Sequence, residues 1–100
     1  MSELEIAIGT DVAQMKLPQT LSIADAGTFK ARLQEVLDVQ PGRIVIDLDA
    51  VVSTDTASLQ LLTAFVLSAT RNGSRIQWDN LSVPLYMAAC QLNLEEHLQF

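Results

Sequence analysis

Basic side chains and thiols are scarce in this chain. Six Lys and Arg stand against twelve Asp and Glu in 100 residues, a formal net charge of −6. A domain of that sign lacks the cationic surface that nucleic acid or an anionic membrane requires. The single cysteine, Cys90, excludes an intramolecular disulfide and any metal cluster built on thiolates. Glycine is sparse and unclustered, so there is no glycine-rich loop to cradle a phosphate. The long uncharged stretch from Thr56 to Thr70 is interrupted by Ser58, Gln60, Thr63 and Ser68. It falls short of the roughly 18 consecutive apolar residues expected of a transmembrane helix. The start, Met1-Ser2-Glu3-Leu4-Glu5, is acidic and has no signal-peptide h-region. Together these absences lead to the expectation of a cytoplasmic protein with no direct membrane insertion.

Apolar residues make up 49% of the chain, enough for a real core, and the length fits a single domain over residues 1–100. Leu4, Ile6 and Ile8 alternate with polar or small residues and predict a first strand. Gly9-Thr10-Asp11 supplies a turn, and Val12 to Leu17 a second strand ended by Pro18. Ser22 and Asp25 have the spacing of a capping box. Ala26, Phe29, Leu33, Val36 and Leu37 then recur at helical spacing up to Pro41-Gly42. Arg43 to Leu48 reads as a central strand buried on both faces. Ala57 to Arg71 predicts a second helix, stopped by Asn72-Gly73. Arg75 to Trp78 is a short strand, with Trp78 covering the sheet edge. A third helix runs from a Ser82 cap to about Leu92, Asn93 terminates it, and Leu94 to Leu98 forms a last helical turn. The predicted fold is α/β, a mixed sheet of about four strands with three to four helices in the order β-β-α-β-α-β-α-(α).

The most informative junction is Asp55-Thr56, where a strand and polar loop give way to the second helix. A hydroxyl there sits on a rigid element beside unpaired N–H groups and the positive end of the helix dipole, so a negative charge can be accommodated. Thr or Asp at that point can equally act as a helix cap. Asp47, closing the central strand, reads as a loop anchor. The two aspartates lack further ligands at metal-binding spacing, so no metal and no cofactor are expected. No nucleophile–base pair is visible along the chain. Cys90 reads as a small buried apolar residue and His97 as a surface residue. The third helix carries no charge from Leu81 to Leu94. Its apolar residues, Tyr86 and Met87 among them, cannot all face inward, which points to a protein-docking patch.

Four segments resemble the STAS domain family, whose name refers to sulfate transporters and anti-sigma factor antagonists. They are Leu21-Ser22-Ile23-Ala24-Asp25-Ala26, Ile44-Val45-Ile46-Asp47-Leu48, Asp55-Thr56-Ala57-Ser58-Leu59 and Leu92-Asn93-Leu94. The third is similar to the family's Asp-Ser/Thr-x-Gly-Leu, with Ser58 in place of the glycine. Asn93 likewise replaces a second glycine. The resemblance implies a non-enzymatic, protein-binding module whose hydroxyl after the aspartate, here Thr56, is phosphorylated in a partner-switching cycle. It implies a binding surface of Asp55, Thr56, Ala57, Ser58 and Leu59, extended by Tyr86 and Met87. The implied partners are an anti-sigma-type serine/threonine kinase and its cognate phosphatase. An alternative is the small STAS subunit of an ABC-type phospholipid transporter, docked on the ATPase subunit, and another is an adaptor in a pathway such as chemotaxis. A weak homodimer through the third helix also stays open.

Overall fold

The computed structural model describes residues 5–9, 11–21, 26–80, 83–92 and 98. Strands β1 (Glu5–Ile8) and β2 (Val12–Lys16) form the expected hairpin, with Ile6 opposite Met15 and Ile8 opposite Ala13. After β3 (Thr20–Leu21) comes α1 (Ala26–Val39), and β4 (Arg43–Asp47) then runs parallel to β2. Next are β5 (Ser53–Thr54), α2 (Thr56–Arg71), β6 (Arg75–Asp79) and α3 (Val83–Gln91). The main sheet has the order β1-β2-β4-β6, and β3 and β5 form a separate parallel pair. This is the predicted mixed α/β architecture. Leu4 of the first strand, the Ser22–Asp25 capping box, the Ser82 cap, the Asn93 terminator, His97 and residues 94–97 of the final turn lie outside the described residues.

Alternation along the strands builds the core. Ala13 and Met15 on β2 and Ile44 and Ile46 on β4 are essentially inaccessible, and Ile76 and Trp78 on β6 pack against them. α1 contributes Phe29, Leu33 and Val36; α2 contributes Leu59, Leu62, Phe65, Val66 and Ala69. α2 buries side chains on more than one side, since the helix lies against β6 and α1 at once. Two hydroxyls on α2 are satisfied by its own backbone. The Thr63 hydroxyl donates to the Leu59 carbonyl and the Thr70 hydroxyl to the Val66 carbonyl, each at 2.8 Å.

Double burial of β4 is not found. Arg43 is exposed and Val45 and Asp47 are only half-buried, because no described helix covers the second face of the sheet. The α2 stop is as expected: Gly73 adopts φ +89°, and the Ser74 N–H returns to the Ala69 carbonyl at 3.0 Å. Trp78 closes edge strand β6, its indole N–H donating to the Leu98 carbonyl at 2.8 Å. Cys90 is half-buried rather than buried.

Candidate functional site

The site is built by the segment from 47 to 59. At the end of β4 the Asp47 carboxylate accepts the Asp49 N–H at 2.9 Å and the Asn80 amide at 3.1 Å. The Asp49 N–H, then the Asn80 amide, then the charge of Lys16 hold its pKa below the ordinary 3.8, against an opposing effect of burial. Asp47 thus ties the end of β4 to Asp49 and Asn80. Buried Leu48 and Val51 next pin the loop to the core. Pairing of β5 with β3 then fixes its far end: the Val52 N–H donates to the Gln19 carbonyl at 2.9 Å, and Thr20 and Leu21 align with Ser53 and Thr54. Strands of two residues carry no periodicity, so this clamp could not be read from sequence.

The clamp delivers the chain to α2 with Asp55 as N-cap. Its backbone is extended, at φ −103° and ψ 167°, and its carboxylate accepts the Ser58 N–H at 2.8 Å. The cap is therefore Asp55, and Thr56 is the first helical residue. Thr56 is exposed, and among the described residues its hydroxyl has no hydrogen-bond partner. Ala57 is half-exposed beside it, whereas Ser58 and Leu59 are 1% and 0% exposed and face the core. The surface of the element is accordingly Asp55, Thr56 and Ala57. Ser58 and Leu59 support it from below and offer no contact surface of their own.

α3 packs against β5, the strand that immediately precedes the cap. It exposes Val83 at 67%, Met87 at 58% and Tyr86 at 42%, and Val52 in the loop before β5 is 55% exposed. The structure therefore brings α3, which carries Tyr86 and Met87, to the strand that precedes the Asp55 cap. Val52 and Val83 are exposed apolar side chains on these elements that were not singled out as site residues. Their signal was present in a Val-Val pair following a strand end and in the uncharged start of α3. No Lys or Arg occurs between Ile44 and Thr70 or after Arg75, so neither α3 nor the start of α2 contributes a cation to the surface. Among the described residues no three His, Cys, Asp or Glu are grouped to hold a metal, and no helix is long and apolar enough to cross a membrane.

A family model described as Mlab, STAS domain matches residues 5–99. The crystal structure of an anti-sigma factor antagonist from Mycobacterium paratuberculosis superposes with a TM-score of 0.78 at 14% identity, over 96% of this chain and 81% of that one. The anti-sigma factor antagonist SpoIIAA in its unphosphorylated form gives a TM-score of 0.69 at 14% identity, over 92% of this chain and 83% of that one. Mglu gives 0.66 at 15% identity over 79% of this chain, which spans only 20% of the Mglu chain. At these identities the likeness shows the fold. No curated protein matches the chain.

Proposed function

The chain belongs to the STAS domain family, and we propose that it is a non-catalytic, cytoplasmic, protein-binding module of the anti-sigma factor antagonist type, switched by phosphorylation of Thr56. The observation that carries this reading is the placement of Thr56. It is the exposed first residue of a capped, core-anchored helix, with its hydroxyl uncommitted among the described residues. A kinase can reach that hydroxyl without unfolding the domain. The phosphoryl group would add about −1.5 to −2 charges. With no Lys or Arg between Ile44 and Thr70 to pair with it from its own segment, the charge would remain available to repel a partner or to resist desolvation against it. The partner in this reading is an anti-sigma-type serine/threonine kinase, which transfers the phosphoryl group to the Thr56 oxygen, and a phosphatase restores the hydroxyl. This chain is the substrate and supplies no catalytic group.

One observation favours a second reading, a permanent small subunit docked on the ATPase subunit of an ABC-type phospholipid transporter. Val52, Val83, Tyr86 and Met87 are exposed apolar side chains on β5's approach and on α3, and their exposure persists whatever the state of Thr56, as a fixed interface requires. Affinity capture from the native cell separates the two, using wild type, Thr56→Glu and Thr56→Ser, with mass spectrometry of the Thr56 peptide. The switch predicts phosphate on Thr56 and a kinase partner lost in the Glu variant but kept in the Ser variant. A transporter ATPase retained by all three at fixed stoichiometry, with Thr56 unmodified, would retire the switch in favour of the fixed subunit.

A further inference from the structure

The face of the main sheet that no described helix covers has an ordered charge pattern. Register places Glu5, Lys16, Asp47 and Asp79 in one row across β1-β2-β4-β6. Two residues along each strand, the next row reads Ala7, Gln14, Val45 and Gln77. Two further along, Arg43 and Arg75 stand side by side, with Val12 beside Arg43. All these positions are exposed or half-buried. One row holds three acids and a lysine, the other two arginines, so the rows carry equal and opposite net charge at opposite ends of the same strands.

Like charges directly opposite on neighbouring strands are destabilising, and here that happens twice, at Arg43/Arg75 and at Asp47/Asp79. Lys16 beside Asp47 offsets part of the acidic repulsion. Nothing among the described residues offsets the arginine pair. Residues four apart on a strand are separated by about 13 Å, too far for Arg43 to reach Asp47 or Arg75 to reach Asp79. Among the described residues neither guanidinium has an ion-pair or hydrogen-bond partner.

A second copy of the chain relieves both rows. We infer that this sheet face is the interface of a symmetric homodimer in which the acidic row of each copy meets the arginine pair of the other. The operator is a two-fold axis lying between the faces and parallel to the middle row. It reverses strand direction while keeping β4 over β4 and β6 over β6. Arg43 then faces the second copy's Asp47 and Arg75 its Asp79, and each contact is repeated by symmetry. Val45 meets Val45 at the centre and Gln77 meets Gln77. The shapes agree as well as the charges. The acidic end is a shallow depression lined by Glu5, Gln14, Lys16, Val45, Asp47 and Asp79, which receives the longer arginine side chains. Four strands of about five residues span roughly 19 by 17 Å, less than the approximately 800 Å² per partner of a standard stable interface. The dimer is therefore weak and in rapid exchange. Because α1 and α2 lie on the opposite face, the assembly is a helix–sheet–sheet–helix sandwich that leaves both Thr56 surfaces outward. Dimerisation in this mode is independent of what those surfaces bind.

Sedimentation of the full chain from micromolar to millimolar concentration tests this, with Arg75→Asp and Asp79→Arg alone and mixed in equal amounts. Asp79 is altered in preference to Asp47, which anchors the β4 exit. Circular dichroism confirms that each variant folds, and Arg43→Asp serves as a second disrupting variant. Wild type should dimerise with rising concentration. Each single variant should weaken association by at least about tenfold, since each sets like charges face to face. The mixture should recover a heterodimer, because the aspartate introduced by Arg75→Asp then meets the arginine introduced by Asp79→Arg. A wild type that stays monomeric at millimolar concentration, a wild-type dimer untouched by either variant, or a mixture as monomeric as its components would overturn the inference. Thr56→Glu should leave dimerisation unchanged, which separates this result from any failure of the docking surface.

Discussion

Removing the Asp55 side chain tests whether the cap is what fixes the start of α2. In Asp55→Ala the Ser58 N–H loses the acceptor it holds at 2.8 Å, and the favourable placement of a carboxylate at a helix N-terminus goes with it. Losing such a cap costs typically about 1 kcal/mol and up to about 2. For a domain of this size each 1 kcal/mol lowers Tm by about 4–8 °C. Asp55→Asn keeps an acceptor oxygen in place and loses only the charge–dipole component, about 0.3–1 kcal/mol. Urea unfolding followed by far-UV circular dichroism should order the midpoints as wild type, Asn, Ala, with the m-value unchanged. An Ala variant as stable as wild type would refute the capping argument. An Asn variant as unstable as Ala would refute the hydrogen bond as its source.

Three further outcomes follow from other contacts. Trp78→Phe removes the indole N–H bond to the Leu98 carbonyl and should cost about 1 kcal/mol, with faster amide exchange on β6 and unchanged exchange in α2. The Asp47 carboxylate titrates below 3.8 in the folded chain. Its contribution is complete above the unfolded-state value and is lost as pH falls through the lower folded-state value, so Asp47→Asn should flatten the acid limb of a stability–pH curve below about pH 4. Ser58 is buried at 1% exposure, and among the described residues its hydroxyl has no hydrogen-bond partner. Ser58→Ala should therefore raise stability by up to about 1 kcal/mol, whereas Ser58→Gly should fall about 1 kcal/mol below the Ala variant. A thermal shift series on the two variants checks this, and a marked loss in Ser58→Ala would show that the hydroxyl is bonded.

Long periodic segments were legible because burial imposes the period. Phe29, Leu33 and Val36 on α1 and Ile44 and Ile46 on β4 are inside for the reason their spacing is visible. The end of α2 was legible too, since a glycine after the last apolar turn has one common use and Gly73 takes the positive φ that use requires. Between the adjacent candidates Asp55 and Thr56 composition could not choose the cap. That depends on which residue is extended, and the β3–β5 clamp upstream decides it. The open sheet face was missed because β4 is continuously apolar from Ile44 to Ile46, and such a run does not reveal whether Val45 meets a helix or solvent. The arginine pair was invisible for another reason. Arg43 and Arg75 are 32 positions apart and become neighbours only through the parallel register of β4 and β6.

The placement of Thr56 also indicates where a phosphate would act. Two unit charges about 4 Å apart repel by about 1 kcal/mol in bulk water, so a phosphate next to the Asp55 carboxylate would cost the fold about 1–2 kcal/mol at most. The helix N-terminus would return about 0.3–1 kcal/mol per negative charge. With no Lys or Arg in the first turn of α2 to tip the balance, the two effects nearly cancel there. Modification should therefore neither melt α2 nor lock it. At an interface that covers Thr56 the same group must shed its hydration, and a charge buried without a partner costs several kcal/mol. The asymmetry predicts a separation of readouts: Thr56→Glu should leave the unfolding midpoint within about 0.5 kcal/mol of wild type while weakening a partner that covers Thr56 by about a hundredfold or more, as an unpaired charge costing about 3 kcal/mol implies. Equal losses in stability and binding would place the effect in the fold and remove the case for Thr56 as a surface switch.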